Sequence, residues 1–344
     1  MKEPAHKVII NNYLDWNLVQ TRLNTYKNIN DCFSLKQLQS CSEKPPYYCH
    51  YMGLRLGTWK HENWFSFFDN LLEIGKQIKG WQDKSKIPKG CDFDNFWSFI
   101  WELQVANLFF TYPDLKLEWT KSGPDLQATI DHQDVYIECT TYHKSFGLEE
   151  FINELFMCIS PDILVTHAPF MKFSLPKNND EVRIFLEELF SPFLDRSYLI
   201  AKIDEAKLHS PIILNSSSGE YNFYVYLENP DAPNLNLAQN QKLSSTGEPC
   251  NYLKTAISEG INNKVSTNAN NLLNFHPNLL MINYLLGVDW QLAKSLRSFP
   301  KYDLDKDLDG IFMTACGIDK LPDINNSIIS FQNNNHPLRQ VLIR

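Results

Sequence analysis

The chain has 344 residues, a formal net charge of −8 and an aromatic content of 13%. That length can bury a substantial core in one elaborated domain or in two, and the aromatic content excludes a chain that is disordered overall. The negative net charge excludes nucleic-acid binding through overall charge, because phosphate groups are attracted by clustered lysine and arginine. Any contact with nucleic acid must therefore come from a local basic patch.

Residues 1–90 are predicted to form an N-terminal helical layer, separate from a core over residues 91–344. Apolar residues recur at helical spacing over 13–26 and 61–81, with a proline-containing loop at 41–49 between them. Five lysines near the end of this region form either a basic patch or a solvated helix end and loop. They are Lys76, Lys79, Lys84, Lys86 and Lys89.

The eight cysteines are scattered without a Cys-x-x-Cys pair, which favours a reducing compartment over a disulfide framework. Cys32, Cys41, Cys49 and His50 lie close in sequence, but their spacings match no compact zinc site, so we expect buried or loop thiols there. The sequence has neither a signal-peptide hydrophobic region nor an apolar run of membrane-spanning length. These features predict a cytoplasmic protein.

The next pattern is a helix followed by a turn and a strand. Apolar residues at helical spacing predict a helix over residues 96–110, which carries Glu102. Ser122-Gly123-Pro124 is a turn signal, because glycine tolerates strained backbone and proline fixes φ. Asp125 is therefore expected to open a strand that runs to residue 130.

A second strand follows, joined to the first by a connection at residues 131–134. Positions 135, 137 and 139 are apolar and alternate with polar positions, so Glu138 lies on the face opposite to the core. A carboxylate there is costly to bury without a partner. A metal ion is one such partner, and an arginine, a lysine or backbone amides are others. Glu102, Asp125 and Glu138 can thus meet and hold a hard cation through oxygen ligands.

The order of these residues resembles the motif of the PD-(D/E)xK nuclease superfamily. The motif is read here as Glu102 on the helix, Pro124-Asp125 at the turn and Glu138-Cys139-Thr140 on the strand. Residues 252–264 and 277–285 are similar to the second core helix and the strand after it. The resemblance implies a restriction-endonuclease-like α/β fold, with a mixed central sheet flanked by helices.

This resemblance makes residues 145–250 a large insertion into the core. Within the insertion, residues 180–193 have the spacing of an amphipathic helix, and residues 211–215 and 221–227 are predicted strands. Residues 229–249 are rich in Asn, Pro, Ser and Gln and are predicted to form a loop.

The resemblance also implies magnesium- or manganese-dependent hydrolysis of nucleic-acid phosphodiesters, with DNA a better candidate than RNA. Asp125 and Glu138 would hold the cation together with the backbone carbonyl of Cys139. Glu102 would bind the same ion, or a second one, through water. A homodimer and a role in restriction or phage defence are compatible with this superfamily.

The sequence departs from the superfamily at Thr140, where the motif has a lysine that positions the attacking water. Threonine cannot supply a positive charge, so a lysine from elsewhere would have to replace it. The candidates are Lys264, Lys144 and Lys121. Lys264 is preferred, because it lies on the predicted second core helix, one turn after Ile261.

Two other classes of function remain open. The first is an inactive nuclease fold that binds nucleic acid or a protein partner, which Thr140 and the acidic net charge favour. The second is a structural or interaction protein, in which the three carboxylates are ordinary surface residues. His143 is either an acid or ligand near the metal or a loop histidine bonded to water. The sequence lacks a phosphate loop, a dinucleotide glycine fingerprint, HExxH and Gly-x-Ser-x-Gly.

Overall fold

The protein is a mixed α/β structure with a six-stranded mixed sheet flanked by helices and a smaller three-stranded antiparallel sheet. This finding confirms the predicted α/β class and the mixed central sheet. The computed structural model describes residues 8, 12–41, 51–57, 62–84, 93–142, 163–167, 179–209, 212–219, 222–227, 267–268, 271–272, 274–284, 308–314, 316–317 and 320–343.

The chain divides into two compact units, each assembled from separate stretches of sequence. Unit 1 comprises Met1–Ser66, Pro88–Phe96 and Ser145–Pro233, and unit 2 comprises Phe67–Ile87, Trp97–Lys144 and Asn234–Arg344. The division into residues 1–90 and 91–344 stays a prediction about domains.

Helices dominate the described residues before 93, as the apolar spacing predicts. The first helix begins where the Asp15 carboxylate accepts hydrogen bonds from the backbone N–H groups of Asn17 and Leu18, since those groups have no partner within the helix. The helices are α1 (Trp16–Thr25), α2 (Lys27–Cys32), α3 (Leu35–Cys41), α4 (Tyr51–Gly57), α5 (Glu62–Gln77) and α6 (Trp81–Lys84).

The cysteines of this region do not all follow the sequence expectation. Cys32 is a buried thiol outside any disulfide, as expected, whereas Cys41 is disulfide-bonded. The expectation of a thiol at Cys41 is therefore wrong. Pairing depends on the distance between two Cα atoms in the fold, which a search for closely spaced cysteines cannot detect. Cys49 and His50 lie outside the described residues.

The central sheet belongs to unit 2, and its strands follow the order β1-β2-β3-β7-β8-β9. The first three form an antiparallel meander, β3, β7 and β8 are parallel to one another, and β9 is antiparallel to β8. The strands are β1 (Lys116–Trp119), β2 (Leu126–Ile130), β3 (Gln133–Tyr142), β7 (Asn278–Tyr284), β8 (Gly310–Thr314) and β9 (Ile328–Phe331).

The hairpin between β2 and β3 is tighter than predicted. Its turn consists of Asp131 and His132, which both have positive φ, at 50° and 64°. Two successive positive φ values match the right-handed twist of the paired strands. Gln133 and Asp134 therefore pair with β2 instead of forming part of the connection, so the predicted connection over 131–134 is two residues too long.

The described part of residues 145–250, the predicted insertion, is a small sheet with two helices, and it belongs to unit 1. The structure confirms the predicted strands at 211–215 and 221–227 within one or two residues. It also confirms the helix predicted over 180–193, except that the α-helix ends at Leu189 and a 3-10 turn follows at Ser191–Phe193. The predicted loop at 229–249 lies outside the described residues. The elements are β4 (Ile163–His167), α8 (Asn179–Leu189), α9 (Arg196–His209), β5 (Ile212–Asn215) and β6 (Asn222–Leu227), with sheet order β4-β6-β5.

Helix α7 (Phe93–Phe110) confirms the helix predicted over residues 96–110. Its C-terminal part packs on the central sheet, where the Trp101 indole N–H donates to the Met281 carbonyl at 3.1 Å and Ser98 and Thr141 form a hydroxyl–hydroxyl hydrogen bond of 3.2 Å. The last helix is α10 (Arg339–Leu342). Among the described helices, none is long and apolar enough to cross a membrane.

Candidate active site

Asp125 and Glu138 occupy opposed positions on neighbouring strands. The register of β2 with β3 pairs Leu126 with Ile137, so the next step places Asp125 opposite Glu138. Directly opposed residues of an antiparallel pair direct their side chains to the same face of the sheet. The hairpin therefore makes the two predicted metal ligands neighbours.

The backbone of Cys139 lies at the same edge as Asp125. Asp125 Oδ2 accepts a hydrogen bond of 2.9 Å from the Cys139 N–H, whereas the N–H of Tyr136 donates to Pro277, ahead of β7. Both backbone groups of one strand residue point to the same neighbour. The Cys139 carbonyl therefore also points toward the Asp125 side, where the sequence predicts a metal ligand.

Glu138 is buried, with 6% of its surface exposed. Its Oε1 atom accepts a hydrogen bond of 2.6 Å from the amide of Asn271. Asp125 is half-buried, whereas Glu138 is buried although it lies on the face that the sequence predicts to be opposite to the core. The reason is the segment at 271–272, which lies over the face of β3 that the sequence left open to solvent.

Thr140 lies two residues further along the same face and is 7% exposed. Its hydroxyl accepts a hydrogen bond of 3.4 Å from the amide of Asn268. Asn268 and Asn271 are each helical and are three residues apart in sequence, and both amides contact the same face of β3. The face of β3 that carries Glu138 and Thr140 is therefore covered by amide groups.

Glu102 lies across the sheet from this pair. Helix α7 contacts Thr141, which alternates with Glu138 and Thr140 and so faces the other side of β3. Glu102 follows Ser98 by one helical turn, which directs it to the same side as the Thr141 contact. The residue is buried, with 7% of its surface exposed.

The structure describes only some of the lysines, and not the histidine, that the sequence predicts near the site. Lys264, Lys144 and His143 lie outside the described residues. Lys121 is exposed and belongs to the turn that leads from β1 to Asp125. Of the predicted basic patch, Lys79 is exposed and forms an ion pair of 2.8 Å with Glu118, while Lys76 is half-buried in α5. Lys86 and Lys89 also lie outside the described residues.

The donor set at this edge suits a hard cation. Within the described residues, His, Cys, Asp and Glu side chains form no group of three or more that could hold a metal ion. Mg²⁺ keeps several of its waters and is commonly held by one or two carboxylates together with substrate phosphates. Asp125, Glu138 and the Cys139 carbonyl provide such a set of oxygen ligands.

Sequence reasoning missed Asn268 and Asn271, which contact the motif strand. Their signal was the three-residue spacing within the Asn-rich stretch at 262–274, which by itself indicates only one side of a helix. Nothing in that pattern identifies the strand that the side meets.

Comparison with known protein families, curated proteins and solved structures gives no match to this chain. The resemblance to a superfamily therefore depends on the motif residues of the sequence alone.

Proposed function

We propose that the chain is a metal-dependent nuclease with a restriction-endonuclease-like core, which hydrolyses phosphodiester bonds in nucleic acid, DNA rather than RNA. Mg²⁺ or Mn²⁺ would be its cofactor. The observation that carries the proposal is the opposed pair of Asp125 and Glu138, with the backbone of Cys139 hydrogen-bonded to Asp125. An opposed carboxylate pair beside a backbone carbonyl is a set of oxygen ligands brought together by the hairpin.

The strand arrangement supports the same proposal. The motif helix α7 precedes the β1-β2-β3 meander, and β7 then lies parallel to β3. The resemblance calls for this order of helix, hairpin and later strand. The predicted second core helix, residues 252–264, lies outside the described residues.

The roles of the side chains follow from their positions. Asp125 and Glu138 would bind the cation, and the half-buried position of Asp125 leaves the site open to a substrate phosphate. A bound Mg²⁺ supplies a water of lowered pKa and offsets negative charge on the phosphate. Glu102 keeps only its predicted role through water, because α7 lies on the opposite face of β3 from Glu138.

Lys264 remains the proposed source of the missing positive charge. Its spacing of four residues from Asn268 and seven from Asn271 is that of one face of a helix. Those two amides contact Thr140 and Glu138. Thr140 stands at the position of the motif lysine, and Glu138 is the proposed metal ligand beside it.

One observation favours a second candidate, an inactive nuclease fold that binds nucleic acid or a protein. Thr140 stands at the lysine position and is buried against the amide of Asn268. An amide can orient a water molecule but carries no charge. If no lysine reaches the site, binding without hydrolysis is the expected activity.

The deciding experiment is a cleavage assay on single- and double-stranded DNA and RNA with Mg²⁺, Mn²⁺ or EDTA. We expect metal-dependent cleavage, strongest on DNA, and a loss of at least about a hundredfold in Asp125→Asn and Glu138→Gln, because each removes a direct ligand. The exposed carboxylates Asp114 and Glu73 provide the control variants Asp114→Asn and Glu73→Gln, which should cleave normally. Cleavage that survives both site variants would reject the metal site, and binding without cleavage would support the second candidate.

A further inference from the structure

We propose that Asn271 is a positioning residue that prepares the buried Glu138 carboxylate to bind a divalent cation. The inference rests on the proposed function. It adds a residue outside the sequence motif to the site and assigns it a measurable effect on metal affinity.

The geometry of the contact is specific. The Asn271 amide donates to Glu138 Oε1 at 2.6 Å, while the Glu138 side chain extends from a strand whose neighbouring residues are buried on both faces. A hydrogen bond to one carboxylate oxygen fixes the rotation of the whole group. The second oxygen then has a defined direction, and outer partners of this kind orient the ligands of metal sites.

The chemistry of the donor matters as much as its position. A carboxylate in a buried position favours its neutral form unless hydrogen bonds or opposite charges stabilise the anion. The amide of Asn271 stabilises the anion by donating a hydrogen bond, but it adds no positive charge. A neutral amide donor therefore does not compete with a cation for Glu138, whereas the ammonium group of a lysine at position 271 would.

Asn268 shows why this role belongs to Asn271. The two residues have the same side chain and are three positions apart in sequence, but the amide of Asn268 donates to the Thr140 hydroxyl. A hydroxyl is not a ligand of the proposed cation. Asn268 is therefore a matched control that differs from Asn271 in the partner it holds.

The experiment measures Mn²⁺ binding to the full chain by calorimetry, together with the thermal unfolding temperature of each variant. We expect Asn271→Ala to raise the Kd for Mn²⁺ by about ten- to a hundredfold, the usual effect of losing an outer partner. Asn271→Lys should raise it further, because its ammonium group competes with the cation. Asn271→Gln retains the donor and should recover part of the affinity, while Asn268→Ala should bind Mn²⁺ within about twofold of wild type.

Each outcome has a separate meaning. If the wild type binds Mn²⁺ and Asn271→Ala binds it equally well, the positioning role is rejected while the proposed function stands. The same conclusion follows if Asn271→Ala lowers only the unfolding temperature, since that is the effect of a merely structural contact. If the wild type itself binds no Mn²⁺, the metal site and the role of Asn271 are rejected together.

Discussion

Thr140 is the residue at which the proposed enzyme differs most from the superfamily motif that it resembles, because the hydroxyl cannot supply the charge of a motif lysine. If Lys264 supplies that charge, Lys264→Ala should lower the cleavage rate by about two to four powers of ten, the usual effect of a positioned acid–base group. Metal affinity should change little, because the lysine acts on the water. Single-turnover cleavage rates and Mn²⁺ titrations measure the two effects separately.

A rescue variant makes this prediction stricter. Adding Thr140→Lys to the Lys264→Ala variant returns an amine to the strand position of the motif, and we expect part of the rate to recover. Wild-type rates in Lys264→Ala alone would assign the role to Lys144 or Lys121. Those two positions would then be tested with the same alanine substitution.

His336 gives a prediction about pH and stability. Its ring is buried against Phe331, with 4.5 Å between ring centroids, and contacts the Asn278 carbonyl at 3.1 Å and the Leu338 N–H at 3.2 Å. Burial lowers the pKa of His336 below its ordinary value of 6.5, although the Asn278 carbonyl and Asp309 oppose the shift.

The direction of the pH effect follows from that lowered pKa. Below about pH 6.5 the unfolded chain binds a proton at this position before the folded chain does, so the free energy of unfolding falls as the pH decreases through that range. We expect His336→Gln to remove this part of the pH dependence. Urea unfolding between pH 5 and 7.5 measures the free energy of unfolding at each pH. If this free energy depended on pH equally in the variant and the wild type, the prediction would be contradicted.

The residues of the site differ in how well the sequence predicts them. Asp125 and Glu138 lie on one hairpin, and a turn signal followed by an alternating strand was sufficient to predict that they are neighbours. Glu102 was placed correctly on a helix, but the sequence does not specify on which face of β3 that helix packs. Asn271 comes from a distant segment, and its meeting with Glu138 depends on tertiary packing.

At the scale of elements, β1 depends on a close approach by the segment that follows α5. The N–H of Trp119 donates to the Lys79 carbonyl at 2.8 Å, and Gly80 has a φ of 91° with the Trp119 carbonyl directly against the position that a side chain would occupy. Gly219 also has a positive φ, at 77°, but nothing lies within 4 Å of that position. Comparing substitutions at the two glycines therefore distinguishes the cost of a positive φ from the cost of a steric clash.

We expect Gly219→Ala to cost about 1 kcal/mol, the usual penalty for a left-handed conformation. Gly80→Ala should cost about 1–3 kcal/mol more, because a methyl group would push the segment away from the β1 backbone. Urea unfolding measures the total cost, and hydrogen exchange of Leu117 to Trp119 reports the loss at β1 itself. Equal costs for the two variants would show that close packing at Gly80 contributes nothing.

The elements also divide by how visible they are in sequence. Helix α7, the β2–β3 hairpin and the predicted insertion elements have clear periodicity and turn signals. Strands β1, β4, β8 and β9 were not predicted. Each is only four or five residues long, and β8 is buried along its whole length, so no alternation of apolar and polar residues distinguishes it.

At the scale of the whole molecule, the pairing of β3 with β7 could not have been derived from residue patterns. The two strands are separated by the insertion, and parallel pairing leaves no local turn signal. The superfamily resemblance, rather than periodicity, pointed to residues 277–285 as the strand after the second core helix.

The net charge of −8 leads to the final prediction, since the nucleic-acid contact of an acidic protein must be local. The edge of β1 carries an open cavity of about 340 Å³, whose lining includes Lys79, Lys121 and Gln127. Lys121 belongs to the turn that leads to Asp125. The ion pair of Lys79 with Glu118 is exposed and therefore contributes little stability, so a phosphate group can compete for this lysine.

We expect the double variant Lys79→Glu, Lys121→Glu to bind DNA more weakly and to show a smaller salt dependence. Each lost phosphate contact should reduce the slope of log K against log salt concentration by about 0.9 for duplex DNA. Fluorescence anisotropy with a labelled duplex in EDTA measures binding without cleavage. The control with the same change in net charge is the double variant Lys27→Glu, Lys36→Glu, at two other exposed lysines. An equal loss of affinity in this control would mean that overall charge, and not the edge of β1, governs binding, because a local contact loses affinity only where phosphates touch the protein.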